Sequence, residues 1–120
     1  MPKKILIVDD YEDCRTLMKA LIEHYGYEAI EAADGYEALE KSIKYHPDLI
    51  LMDLALPIMD GATATELIRE IEGFDKVSII ALTGFSNTSF DKAIEAGFDN
   101  VLVKPLHFEN LESVLTHYLS

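Results

Sequence analysis

Five polar side chains stand in matching positions. Asp9 with Asp10, then Asp53, Thr83 and Lys104, each follow directly on a short apolar run: ILIV, LILM, SIIAL and VLV. Two adjacent carboxylates at the end of such a run repel, and something must offset the repulsion. With Asp53 they make three, and three carboxylates in one pocket raise at least one pKa unless a cation neutralises them. A hard divalent ion does so through oxygen ligands; Mg²⁺ takes one or two carboxylates, waters and phosphate oxygens. The expected centre is a Mg²⁺ site, with Asp9 and Asp10 as one half and Asp53 across from them. Lys104 and Thr83 are then surplus to the metal. An ammonium and a hydroxyl beside a metal suit a phosphoryl group, whose oxygens want positive charge and donors. The connection after the first run is acidic and glycine-free, which excludes a nucleotide cradle. What remains is that a carboxylate of the protein takes the phosphoryl group as a covalent nucleophile. Asp53 is the candidate, since it ends a central strand and is followed by the loop LALPIMDG.

Each residue also has a plainer reading. An Asp after a strand is most often a cap or turn residue. A Thr there is usually a strand-end hydroxyl, and a Lys before Pro is usually solvated. The convergence of all of them on one edge of one fold is what favours chemistry.

That edge must be built by the intervening pattern. Strand-like runs are Lys4–Val8, Glu28–Ala32, Leu49–Met52, Ser78–Leu82 and Asn100–Val103. The most continuously apolar of them read as strands covered on both faces, the mark of a parallel sheet under helices. Between them lie helical stripes: Cys14, Leu17, Met18, Leu21, Ile22 and Tyr25, stopped by Gly26; Ala38, Leu39 and Ile43, opened by an Asp34/Glu37 capping box and ended before Pro47; Ala64, Leu67, Ile68 and Ile71, closed by Gly73; Phe90, Ala93 and Ile94, closed by Gly97; and Leu111, Val114, Leu115 and Tyr118. The order is a strand–helix unit repeated five times, with no linker, so residues 1–120 are expected to form a single domain. Right-handed crossovers then place helices on both faces of an open α/β sheet. Ligands of such sheets bind at the carboxyl ends of the strands, at a switch point in strand order. Periodicity does not supply that order.

Composition narrows the partners. The 120 residues carry 22 acidic against 10 basic side chains, a net charge of −12. That argues against nucleic acid or an anionic membrane as a partner, and is compatible with a cation or a basic protein surface. No stretch is long and apolar enough to span a membrane. Cys14 is the single cysteine, which excludes an internal disulfide and points to a reduced, cytoplasmic setting. Its place on an apolar stripe predicts a packed thiol.

The pieces LIVDD, DLILMDLALPIMDG, ALTG and LVKP, in this order and spacing, resemble the receiver domain of two-component response regulators, from Lys3 to Tyr118. The resemblance implies a flavodoxin-like sheet of order 2-1-3-4-5. It implies that Asp53 takes a phosphoryl group from a phosphohistidine on a sensor histidine kinase or phosphotransfer protein. It further implies that Asp10, Asp53 and the backbone carbonyl of Ala55 ligate Mg²⁺ directly, with Asp9 acting through water. Thr83 would hydrogen-bond a phosphoryl oxygen, Lys104 would pair with it, and Pro105 would follow a cis peptide bond. Phosphorylation would bias an inactive–active equilibrium and remodel the face of the fourth helix, fifth strand and fifth helix, where an output domain or a second copy could dock.

The chain departs from the family pattern in places. Many receivers carry Phe or Tyr three residues before the lysine, and that ring swings inward on activation; here stands Val101, stiff and ringless. Gly84 replaces a common Ala and would loosen its loop. Ala55 and Phe85 occupy positions that flank the phosphoryl group in the family; neither has a group to orient water, which predicts slow phosphate loss. Three other readings compete. A haloacid-dehalogenase-type phosphatase needs a second acid two residues after its nucleophile, where this chain has Ala55. A flavodoxin-like cofactor binder needs a phosphate loop where this chain has DDYED. A degenerate receiver would be an interaction module that is never phosphorylated, although every chemical residue is present.

Overall fold

The computed structural model describes residues 2–84, 90–104 and 108–119. Five strands, β1 (Lys4–Val8), β2 (Glu28–Ala32), β3 (Leu49–Asp53), β4 (Ser78–Thr83) and β5 (Asn100–Val103), alternate with five helices. The helices are α1 (Glu12–His24), α2 (Gly35–Tyr45), α3 (Gly61–Glu70), α4 (Phe90–Ala96) and α5 (Phe108–Leu119). The strands pair in parallel in the order β2-β1-β3-β4-β5, as the family resemblance implies. β3 and β4 each run one residue further than their apolar runs, so Asp53 and Thr83 belong to the sheet.

Side chains alternate across a strand, and two cores follow from that period of two. Leu6, Val8, Ile50, Met52, Ile79 and Ala81 face one layer, with Ala38 of α2, Ala64 and Ile68 of α3 and Ala93 of α4. Ile5, Ile7, Leu49, Leu51, Ile80 and Leu82 face the other, with Met18 and Ile22 of α1 and Leu111, Val114 and Leu115 of α5. Strands covered on both faces have no polar side, which is why β1 and β3 read as unbroken apolar runs.

The helical stripes are narrower than the sequence pattern predicts. Leu17, Ile43 and Ile94 are exposed, at 62, 55 and 42 %, and Leu67 lies at the border. Each sits beside the line that faces the sheet. On α2 and α3 the smaller neighbours Ser42 and Thr65 take the buried places instead. The expected capping at Asp34 is present, its side chain accepting from the Glu37 N–H at 2.9 Å. The Glu37 carboxylate is 3.7 Å from Lys41, one turn along the helix. Gly26, Gly73 and Gly97 close their segments at positive φ. Phe85, Pro105 and the Phe90 side chain lie outside the described residues.

Candidate functional site

β1 and β3 are neighbours although α1, β2 and α2 separate them in sequence, so the switch in strand order falls between them. The pleat then decides which side chains meet. Asp9 continues the row of Ile5 and Ile7; Asp53 continues Leu49 and Leu51; Lys104 continues Leu102. All three rows belong to the face under α1 and α5, so the three polar groups emerge on the same side of the sheet.

There the Lys104 ammonium bridges the two buried carboxylates. Its Nζ lies 2.7 Å from Asp9 Oδ2 and 2.6 Å from Asp53 Oδ2. The second oxygen of each acid is also held. The Tyr11 N–H donates to Asp9 Oδ1, and the Ala55 N–H donates to Asp53 Oδ1, both at 2.9 Å. Asp10 is exposed at the mouth, and one carboxylate oxygen from each of Asp9, Asp10 and Asp53 lies within 4.8 Å of the others. Thr83 is buried, and its main-chain carbonyl accepts from the Lys104 N–H at 2.7 Å, fixing the root of the lysine.

This arrangement adds a second cation to the divalent ion expected to relieve the acids. Burial alone would raise the Asp9 carboxyl. The Lys104 hydrogen bond, the Tyr11 amide, the Cys14 thiol and the lysine's charge together outweigh it and hold the group below its ordinary value. Burial would likewise lower Lys104, but the two carboxylates hold its pKa well above that of a free lysine. The ammonium is therefore the site's resident countercharge, and its role is wider than meeting a phosphate. The oxygen set still fits Mg²⁺: three carboxylates, no sulfur or imidazole, and one acid open to water.

Cys14 is half-buried rather than sealed in the core, with its sulfur 4.0 Å from that of Met18. Burial and the nearby Asp9 push its thiol up to about 11, which makes it a poor nucleophile near neutral pH. With Tyr11, Leu17, Met18 and Leu21 it lines an apolar groove along α1 that opens beside Lys104.

Gly61 was not singled out by its chemistry, yet it shapes the site. A Cβ at Gly61 would sit 2.1 Å from the Asp53 carbonyl oxygen, so α3 can start against the acid's own backbone only with glycine there. Asp60 caps that helix, its side chain accepting from the Thr63 N–H at 2.8 Å. The run MDG is the legible trace: a capping acid followed by a residue with no side chain.

Comparison with known proteins agrees with this geometry. Residues 5–116 match the response regulator receiver domain family. The polar-differentiation response regulator DivK of Brucella ovis is 34 % identical over 120 residues, covering 99 % of this chain and 98 % of its own. The receiver domain of a sensor histidine kinase from Pseudomonas aeruginosa superposes with a TM-score of 0.91 at 33 % identity, covering 98 % of both chains; that domain coordinates a magnesium ion in its active-site cleft. The chemotaxis protein CheY4 of Vibrio cholerae superposes with a TM-score of 0.92 at 33 % identity, covering 99 % of this chain and all (100 %) of its own.

Proposed function

The chain belongs to the response regulator receiver family, and from that premise we propose that it is a phosphorylation-dependent switch whose acceptor is Asp53. The donor is a phosphohistidine of a sensor histidine kinase or a histidine phosphotransfer protein. An Asp53 carboxylate oxygen forms the new P–O bond as the P–N bond to the imidazole breaks, and that bond's electron pair leaves on the ring nitrogen. The observation that carries this reading is the Lys104 ammonium, 2.6 Å from Asp53 and shared with Asp9. A cation already on the acceptor can follow the charge as it grows on the phosphoryl oxygens. The Ala55 N–H orients the acid through its other oxygen. Thr83, at the end of the neighbouring strand, donates its hydroxyl to the phosphoryl group. Asp10, Asp53 and the Ala55 carbonyl would hold Mg²⁺, with Asp9 acting through water. When bound, the ion neutralises phosphoryl oxygens and acid together.

Residues 1–120 act as one receiver unit that catalyses only its own phosphoryl transfer and dephosphorylation, in the reducing cytoplasm. Among the described residues no helix is long and apolar enough to cross a membrane. Added phosphate charge draws Lys104 and Thr83 toward it and shifts the population of the α4–β5–α5 face, where the output domain or a second copy docks. Val101 packs against the core from β5 and has no ring to rotate, so no aromatic swap accompanies the shift. Ala55 is exposed beside Asp53 and offers only a methyl group to incoming water, so the acyl phosphate persists for minutes or longer.

Acetyl phosphate with Mg²⁺, read by intact mass, tests the acceptor. The protein gains one phosphoryl group, and Asp53→Ala gains none. Turnover without adduct would mean a hydrolase, no reaction an interaction module, and a half-life of seconds would refute the claim of slow loss.

A further inference from the structure

Asp10 is the exposed member of the acidic cluster, and its direction is set by the peptide that joins it to Asp9. The carbonyl of that peptide is held, and so is the amide of the peptide before it. The Asp9 N–H donates to the Ala32 carbonyl of β2 at 3.1 Å, and the Asp9 carbonyl accepts from Arg15 Nη1 at 2.7 Å. Because a peptide unit is planar, fixing the Asp9 oxygen fixes the N–H and Cα of Asp10 as well. Arg15 is itself anchored. Its side chain is 16 % exposed, and its Nε stands 3.4 Å from Glu31 Oε1, an ion pair without a formed hydrogen bond. Glu31 also pairs with Lys19 at 3.7 Å, and its main-chain carbonyl accepts from Lys41.

We propose that Arg15 is a positioning residue for the phosphorylation site: pinned between Glu31 and the Asp9 carbonyl, its guanidinium sets the turn that presents Asp10 beside Asp53. The inference rests on the reading of Asp9, Asp10 and Asp53 as a Mg²⁺ site. It assigns a task to a cation that makes no contact with the three carboxylates' own oxygens. Its position is otherwise paradoxical, since a positive charge this close repels a divalent ion. A purely electrostatic Arg15 would weaken the site, and a positioning Arg15 strengthens it. The two roles therefore predict opposite signs.

Mg²⁺ titration by calorimetry at fixed ionic strength separates them, with thermal melting alongside to establish that each variant is folded. Arg15→Ala binds Mg²⁺ roughly ten-fold more weakly than the parent, the lower end of what losing a supporting hydrogen bond costs a metal site. Arg15→Gln, also neutral and too short to span both anchors, loses affinity in the same direction, and it carries the test should the alanine variant fail to fold. Arg15→Lys, which keeps the charge and a donor for the Asp9 carbonyl, recovers most of the loss. Equal or tighter Mg²⁺ binding by folded Arg15→Ala or Arg15→Gln would overturn the positioning role while leaving the metal site standing. No Mg²⁺ binding by the parent chain would overturn the site reading itself, and the positioning role with it.

Discussion

The two ends of the sheet each gather around one half-buried cation, and they use it differently. At the carboxyl-end rim the Lys104 ammonium holds two acids. At the opposite edge, where β4 and β5 begin, the Arg69 guanidinium holds mostly main-chain carbonyls. It donates to Gly97 from Nε at 2.9 Å and Nη2 at 2.7 Å, to Phe74 at 3.0 Å and to Val77 at 2.6 Å. Its Nη2 also meets Asp99 Oδ2 at 2.9 Å, an oxygen that accepts from the Ile79 N–H as well. A planar fork with fixed donor directions matches fixed acceptors and locks α3, the end of α4 and the starts of two strands together. An ammonium is a point charge on a flexible stem, and it can change partners without dismantling the fold. The base is built to stay and the rim to rearrange.

Removing the Arg69 guanidinium should have the largest effect on stability. Arg69→Ala strands several part-buried carbonyls, and a loss of about 3 kcal/mol is expected from the urea midpoint. Mg²⁺ affinity at the rim should stay near that of the parent. A loss below about 0.5 kcal/mol, the range of ordinary surface changes, would remove the distinction between the two ends.

Lys104→Ala should cost less, about 2 kcal/mol, because the site is partly open to water, though two facing acids lose their countercharge. Here added Mg²⁺ should return part of the stability, more than it adds to the parent, since binding to the folded state alone stabilises it. Equal Mg²⁺ stabilisation of both proteins would mean the lysine and the ion do not share a task.

The pH dependence sharpens the same contrast. Asp9 lies below its ordinary value of 3.8 when folded, so its contribution is present above that pH and lost as the pH falls through the lowered value. Lys104 lies above its ordinary 10.5, so its contribution is complete below 10.5 and lost as the pH climbs through the raised value. Lys104→Ala should shrink both limbs of the stability profile, whereas Arg69→Ala should shift the profile without reshaping them. The smallest effect is at Cys14. With its thiol near 11 against an ordinary 9.0, alkylation at pH 8 should run roughly a hundred-fold slower than for an unperturbed cysteine. Alkylation at the ordinary rate would mean that neither burial nor Asp9 raises the thiol.

The rim was legible in the sequence because its residues break a pattern. A carboxylate that ends the run LILM, or a lysine after VLV, is conspicuous against continuous apolar strands. The strands, to within one residue at the ends of β3 and β4, and the cap at Asp34 follow from local rules and are found where those rules place them. The exposure of Leu17 and Ile43 was not legible, since a helical stripe is wider in sequence than the line a sheet covers. Arg69 and Arg15 were silent for another reason. Most of their hydrogen-bond acceptors are main-chain carbonyls, which every residue carries, and the acids they pair with, Asp99 and Glu31, lie far off in sequence. The bridging place of Lys104 needed coordinates too, because a carboxylate cluster alone asks for a cation without saying which.

The most direct test of the central claim is to find the acyl phosphate. After treatment with acetyl phosphate and Mg²⁺, borohydride reduces an aspartyl phosphate to homoserine, and peptide mass spectrometry reads the position. Homoserine at position 53, with Asp9 and Asp10 unchanged, is the predicted result; homoserine at either of those acids, or at none of the three, would contradict the account.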